Sequence, residues 1–207
     1  MSNSTTNIDG ADCVPVWVKP VTLGDWETQI IESADLHYCL PIRAGWKTTP
    51  HITQTPLQID HGFQGVHPAE SLIVSFMDKA DPAADLRNWV DAFIKLTGFP
   101  ILPMFQPINS PPCLLEWRDQ GSCPALSDRL NVDETYLYQG LAQFSSQPAE
   151  CTRLYILLAR RGNVAWKISL SILSACLPEV PEDVITTNDH VRAGAIFGYL
   201  SFPFRNL

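Results

Sequence analysis

Charge is scarce in this chain of 207 residues. Asp, Glu, Lys and Arg make up 17% of it, and 22 acidic against 14 basic residues leave a net charge of −8. No basic stripe stands out, which argues against a protein that grips nucleic-acid phosphates. The same shortage argues against adsorption to an anionic membrane. Long apolar runs are also missing. A membrane-spanning helix needs roughly 18 consecutive apolar residues, and "LYILLA" is only of strand length. The opening "MSNSTTNIDGADC" has no basic segment followed by an apolar one. No secretory signal is read there, and a cytoplasmic protein is expected. No G-x-S-x-G elbow, phosphate-binding Walker loop, G-x-G-x-x-G turn or C-x-x-C pair occurs, so the best-defined catalytic and redox signatures are absent.

Proline is plentiful. The 17 prolines predict long irregular connections. The six cysteines, at 13, 39, 113, 123, 151 and 176, are widely and irregularly spaced. They are expected to be reduced thiols, several of them buried. Cys113 and Cys123 flank "LLEWRDQGS", and a disulfide or metal clip between them stays open.

Residues 1–13 read as a disordered lead, and 14–207 as one domain with proline-rich insertions near 47–70 and 99–131. "VPVWVKPV" suggests a short edge strand, because Pro15 and Pro20 limit its pairing. A hairpin is expected over 26–31 and 35–40, turning at "ESAD". Residues 45–70 read as loop, around at most one short strand near Leu57–Ile59. "SLIVSFM", 71–77, is apolar enough for a strand buried on both faces. Asp81 and Pro82 open a helix whose apolar positions are Leu86, Trp89, Val90, Phe93 and Ile94, with Gly98 as its stop, so it spans about 82–97.

"CLLEW" suggests a strand within the second insertion. Three more follow as a meander: "TYLYQGLAQFS", "TRLYILLAR" and "VAWKISLSI", the last two joined by the turn "RGN". In "VAWKISLSI", Trp166, Ile168, Leu170 and Ile172 fall on one face, with Lys167, Ser169 and Ser171 on the other. That alternation predicts a sheet with one covered face. A last helix is placed near 187–199, with Pro181 as an alternative start, and "LSF" follows it as a short strand. The sum is an α+β domain, a mainly antiparallel sheet covered by helices.

The candidate chemistry is thin. His51, His61 and His67 share a polar segment with Asp60 and Glu70, but their spacing matches no zinc signature. Asp189 and His190 are adjacent, and neighbours on a helix point about 100° apart. Arg160 and Arg161 at a hairpin tip are candidates to grip a carboxylate or phosphate, against a role in keeping the turn solvated. Met104 and Phe105 in "LPMFQP", together with Trp117, are candidate partner contacts, because aromatic side chains dominate interface hot spots. The alternative is that they cover one face of the sheet.

One stretch carries a family resemblance. "LHYCLPIRAGW" resembles the strand–proline–Gly–Trp entry of the Mog1/PsbP-like superfamily, which includes DcrB-type bacterial domains; the matching residues are Leu40, Pro41, Gly45 and Trp46. The spacer "IRA" is slightly longer than the family's. "LIVSFM" before a helix, the hairpin "RLYILLARRGNVAWKISLSI" and the closing "LSF" follow the family's element order, so the resemblance covers about 35–98 and 135–202. It implies an α/β/α sandwich and a binding role without catalysis. Members act as partners of a small nuclear GTPase, of photosystem II, or of the apolar helices of type VI secretion effectors. An acidic chain without a signal is most like the last, adaptor or chaperone-like branch. Within the stretch itself, Pro41 is read as ending the ladder, Gly45 as the turn and Trp46 as closing the core.

The expectation is therefore a cytoplasmic protein that binds an apolar or amphipathic segment of a partner protein, with no cofactor, catalytic residue or metal assigned. The alternatives are a small metal-dependent enzyme or binder using residues 51–67, and a structural subunit such as a homodimer joined through an edge strand.

Overall fold

The structure is a computed structural model that describes residues 14–22, 27–34, 36–49, 54–55, 58–67, 69–78, 80, 85–88, 113–144, 147–175 and 182–203. A ribbon of two strands, β1 (Thr28–Ser33) and β2 (Tyr38–Arg43), stands apart from a larger sheet. The larger sheet contains β3 (Lys47–Thr49), β4 (Gln54–Thr55), β5 (Gln58–Gln64), β6 (Ser71–Met77), β7 (Cys113–Ser122), β8 (Glu134–Phe144), β9 (Gln147–Arg161) and β10 (Val164–Ala175). Its order is β3-β5-β6-β10-β9-β8-β7, with β4 also on β5, and every pairing is antiparallel. Two helices, α1 (Pro124–Leu130) and α2 (Glu182–Phe197), a helical stretch at 86–88 and a 3-10 turn at Val16–Val18 complete the described elements. The fold is α+β with mainly antiparallel strands.

Side-chain alternation sorts the sheet into two faces. Leu137, Leu157, Ile168 and Val74 lie in one cross-strand row on the first face. With Phe63, Leu72, Phe76, Trp166, Leu170 and Tyr155 they belong to the main core, which α2 covers with Ala193, Ile196 and Phe197. Trp17 is fully buried there, 5.1 Å from both the Tyr155 and Phe197 rings. Trp166 stacks on Phe202 at 4.4 Å and donates its indole N–H to the Leu36 carbonyl at 2.7 Å, tying the ribbon's turn to the sheet.

The faces of β10 fall as its alternation predicts, but the second face is covered too. Ser169 and Ser171 are buried, and Leu86 packs with Tyr138, Ile156 and Leu158 on that side. Residues 86–88 are helical, as the capping pattern predicts; the rest of the expected helix, 82–97, lies outside the described residues.

Other expectations need correction. "VPVWVKPV" forms a 3-10 turn rather than an edge strand, because one turn swings Trp17 into the core while the Val18 N–H still finds the Pro15 carbonyl. The expected loop at 45–70 contains β5, seven residues beside β6. Its side chains are mostly polar, but the ladder satisfies its backbone. "CLLEW" is the start of a strand of 10 residues, and α1 follows inside the supposed insertion. The last helix begins at Glu182, beside the alternative Pro181 start. "LSF" contributes only a bridge, Ser201 to Cys39.

The segment 19–21 lies flat on α2. A Cβ on Gly194 would sit 2.6 Å from the Lys19 carbonyl oxygen, and one on Gly198 would collide with the Pro20 Cα. Only glycine permits that approach. From the other side, Arg129 of α1 donates to the Val18 and Phe197 carbonyls at 2.6 and 3.2 Å.

Candidate functional site

Pro41 does not end β2; it sits inside it, opposite Ile30. Backbone geometry explains why. Cys39 exchanges both backbone hydrogen bonds with Ser201, each 2.9 Å, on the side away from β1. Backbone groups alternate sides along a strand, so those of Pro41 also point away from β1, where no ladder N–H is required. The turn after β2 follows the expectation: Gly45 has φ +87, and Trp46 is buried at 8% exposure.

The same alternation describes β1. The Glu27 carbonyl accepts from the Ala44 N–H at 2.8 Å, so the odd-numbered residues of β1 face β2. Thr28, Ile30 and Glu32 then direct their N–H and C=O groups outward. Among the described residues no strand pairs with that outer side. Ile30 is 61% exposed and Tyr199 is 48% exposed.

These two residues line one cavity of about 250 Å³, together with Val21, Thr22, Thr28, Pro41 and Ala195. Three elements build it: segment 19–22 pressed on α2 by the two glycines, the C-terminal end of α2, and the pocket-facing side of the ribbon. The Tyr199 hydroxyl and Thr22 Oγ1 share a hydrogen bond of 3.0 Å across its mouth. An open strand edge beside a small apolar cavity is the arrangement that takes up extended or amphipathic segments.

Between α2 and the sheet lies a polar network. Arg153 Nε donates to Asp189 Oδ2 at 3.2 Å, and Ser174 Oγ donates to the same oxygen at 2.5 Å. Arg192 pairs with Glu70 at 2.5 Å and donates to the Leu173 carbonyl at 2.7 Å. Arg153 and Asp189 are each 2% exposed. Burial raises the Asp189 carboxyl, opposed by the Ser174 hydrogen bond and by both arginines. Burial pushes His190 down to about 4, helped by Arg153 and Arg118. The Tyr155 hydroxyl is raised by burial, and it and His190 Nε2 are buried without a hydrogen-bond partner among the described residues. This network clamps helix to sheet. On the second face, burial lowers Lys167 to about 8, with Asp60 opposing.

The residues singled out from the sequence do not gather. Met104 and Phe105 lie outside the described residues, and Trp117 falls on β7 opposite Gly140. Arg160 pairs with Glu134 at 2.6 Å. Arg161 donates to the Asn131 and Phe202 carbonyls at 2.9 and 2.8 Å and lies 5.7 Å from the Trp166 ring centroid. Both arginines thus brace their own chain. His51 lies outside the described residues; His61 Nδ1 is 2.9 Å from the Tyr38 hydroxyl, and His67 Nδ1 accepts from the Ala69 N–H. No cluster of metal-binding side chains occurs among the described residues. Cys39 and Cys123 are thiols outside any disulfide, so Cys113 and Cys123 do not pair. Cys151 is disulfide-bonded, which corrects the expectation of reduced cysteines throughout. No helix among the described residues is long and apolar enough to cross a membrane.

No protein-family model matches the chain, and no curated protein matches it by sequence. Among solved structures it is similar to the solution structure of cyanobacterial PsbP (CyanoP) from Synechocystis sp. PCC 6803, at 11% identity over 84% of this chain and 94% of that one, with a TM-score of 0.48. The likeness is weak and concerns the fold alone.

Proposed function

We propose that this is a binding protein without catalytic chemistry, and that the cavity between the ribbon and the end of α2 takes an apolar side chain from a segment of a partner protein. The cavity itself carries the reading: its walls are mostly apolar, two of its side chains are strongly exposed, and among the described residues it lies beside an open strand edge. At about 250 Å³ it suits one side chain rather than a substrate with its cofactor. The net charge of −8 favours a partner segment with basic flanks. An adaptor or chaperone-like role, with a type VI secretion effector as the partner, is the specific form that the sequence resemblance implies. The Cys151 disulfide weighs against a permanently reducing setting, so a cytoplasmic location is not part of the proposal.

A photo-crosslinking amino acid at position 199, compared with one at the exposed Val66, tests this in extract of the native host. One protein should cross-link from 199 and not from 66. A synthetic peptide of its cross-linked segment should then bind the purified chain and lose about tenfold in affinity with Tyr199→Ala. Equal labelling from both positions, or a peptide indifferent to Tyr199→Ala, overturns the reading.

A further inference from the structure

We propose that the outer edge of β1 pairs with β1 of a second copy of this chain, antiparallel about a two-fold axis through Ile30. The argument is one of register. Thr28, Ile30 and Glu32 all direct their backbone groups outward. An antiparallel pairing of two identical strands satisfies all of them only if outward-facing residues oppose outward-facing residues. Centring the axis on Ile30 does this: Ile30 meets Ile30, and Thr28 meets Glu32 in both directions. About six inter-strand hydrogen bonds form, in three hydrogen-bonded pairs.

The side chains agree with that register. Two Ile30 side chains, each 61% exposed in the single chain, become cross-strand neighbours. Glu32 faces Thr28, Glu27 faces Ser33, and Gln29 faces Ile31, so no two acidic side chains stand opposite each other despite the acidic chain. Shifting the centre to Gln29 or Ile31 would still set outward-facing residues opposite one another, but would leave only two hydrogen-bonded pairs within Thr28–Ser33 instead of three. Edge protection by lysine or an inward charge, the usual defence against self-pairing, is absent at Thr28, Gln29, Ile30 and Ile31.

The product is a ribbon in the order β2-β1-β1-β2. Pairing occurs in the plane of the ribbon, so it leaves the Thr28, Ile30 and Pro41 face open and brings the two cavities side by side around the axis. Each cavity gains the other copy's Ile30 as an added wall. The pairing stands without the partner-binding reading; only this shared groove rests on it.

Single cysteines in the full chain test the register, in a Cys39→Ser background that removes the partly buried neighbouring thiol. Ile30→Cys places two thiols directly opposite, with Cα atoms about 5.5 Å apart, which a disulfide can bridge. Thr28→Cys places its two thiols about 13 Å apart along the strands, which it cannot. Mild oxidation should yield about tenfold more dimer from Ile30→Cys than from Thr28→Cys. Light scattering of the unmodified chain should show mass rising with concentration from 23.1 kDa toward twice that, and Ile30→Lys should hold it at the lower value with unchanged circular dichroism. A monomer at every concentration, a dimer that persists in Ile30→Lys, or equal cross-linking from both cysteines overturns the pairing. None of these readouts needs a partner protein, so their failure leaves the cavity reading standing.

Discussion

Helix α2 buries charge toward the sheet and exposes apolar surface toward the ribbon. On the sheet side Asp189 is almost fully enclosed, yet it has two arginines and a hydroxyl around it. On the ribbon side Ala195 and Tyr199 border a cavity, and the neighbouring strand edge has no partner among the described residues. Stability alone favours neither arrangement: buried ion pairs are no better than apolar packing, and an open apolar edge invites association. The first side fixes the helix in place. The second is where the molecule has contacts left to make.

The largest effect that can break this contrast lies in the network. Asp189→Ala leaves the Arg153 guanidinium buried without its carboxylate, and should cost about 3–5 kcal/mol in urea unfolding. Replacing both residues at once, as Arg153→Met with Asp189→Leu, should recover most of that loss, because neither charge is then stranded. A single variant that unfolds like the parent would show that the network is not holding the helix.

Next in size is the seam between α2 and segment 19–21. Gly198→Ala forces a methyl group against the Pro20 backbone, and should cost about 1–3 kcal/mol. Because that segment walls the cavity, the variant should also weaken partner binding, which Asp189→Ala would do only by unfolding the chain.

How much of this is legible in the sequence follows from which forces are local. The faces of β10 can be read because its alternation has the period of a strand and its apolar side is continuous. β5 escapes such a reading because Gln58, Asp60, His61 and Gln64 give no apolar signal; its place is set by pairing with β6. Trp17 reads as part of a strand because the pattern of its valines is ambiguous over so short a run. The candidate site is hardest to read. Ile30 and Tyr199 are far apart in sequence, and the open side of β1 depends on the absence of a neighbour. One signal is present: Pro41 inside an apolar strand marks a strand near an edge. In sequence alone it looks the same as a proline that terminates the strand. Arg160 and Arg161 stand out as exposed charge, but Glu134 and two carbonyls in other parts of the chain occupy them.

Acid should loosen the sheet side of α2 by a smaller amount. His190 is held near 4 when folded, against an ordinary 6.5, with burial, Arg153 and Arg118 disfavouring its cation. Between those values the unfolded chain binds a proton that the folded chain refuses, so stability falls as pH drops from 6.5 toward 4. Partial exposure limits the loss to roughly 1–2 kcal/mol. Asp189 has the opposite sign: its raised carboxyl takes up a proton in the folded state first, which favours folding on further acidification. His190→Gln should flatten the slope above pH 5, read from urea midpoints. An unchanged slope would assign the acid response to another group.

The smallest effect on stability is the most discriminating. Ile30→Ser and Tyr199→Ser alter side chains that already face solvent for about half or more of their surface. Each should shift stability by no more than about 0.5 kcal/mol. Their binding consequences should differ, because Ile30 lies both at the two-fold pairing and in the cavity, whereas Tyr199 lies in the cavity alone. Ile30→Ser should lower the mass at high concentration, whereas Tyr199→Ser should leave it unchanged and reduce only the capture of a partner segment. If either substitution instead costs as much as Gly198→Ala, that residue is packing the fold, and the ribbon side of α2 serves stability no less than the sheet side does.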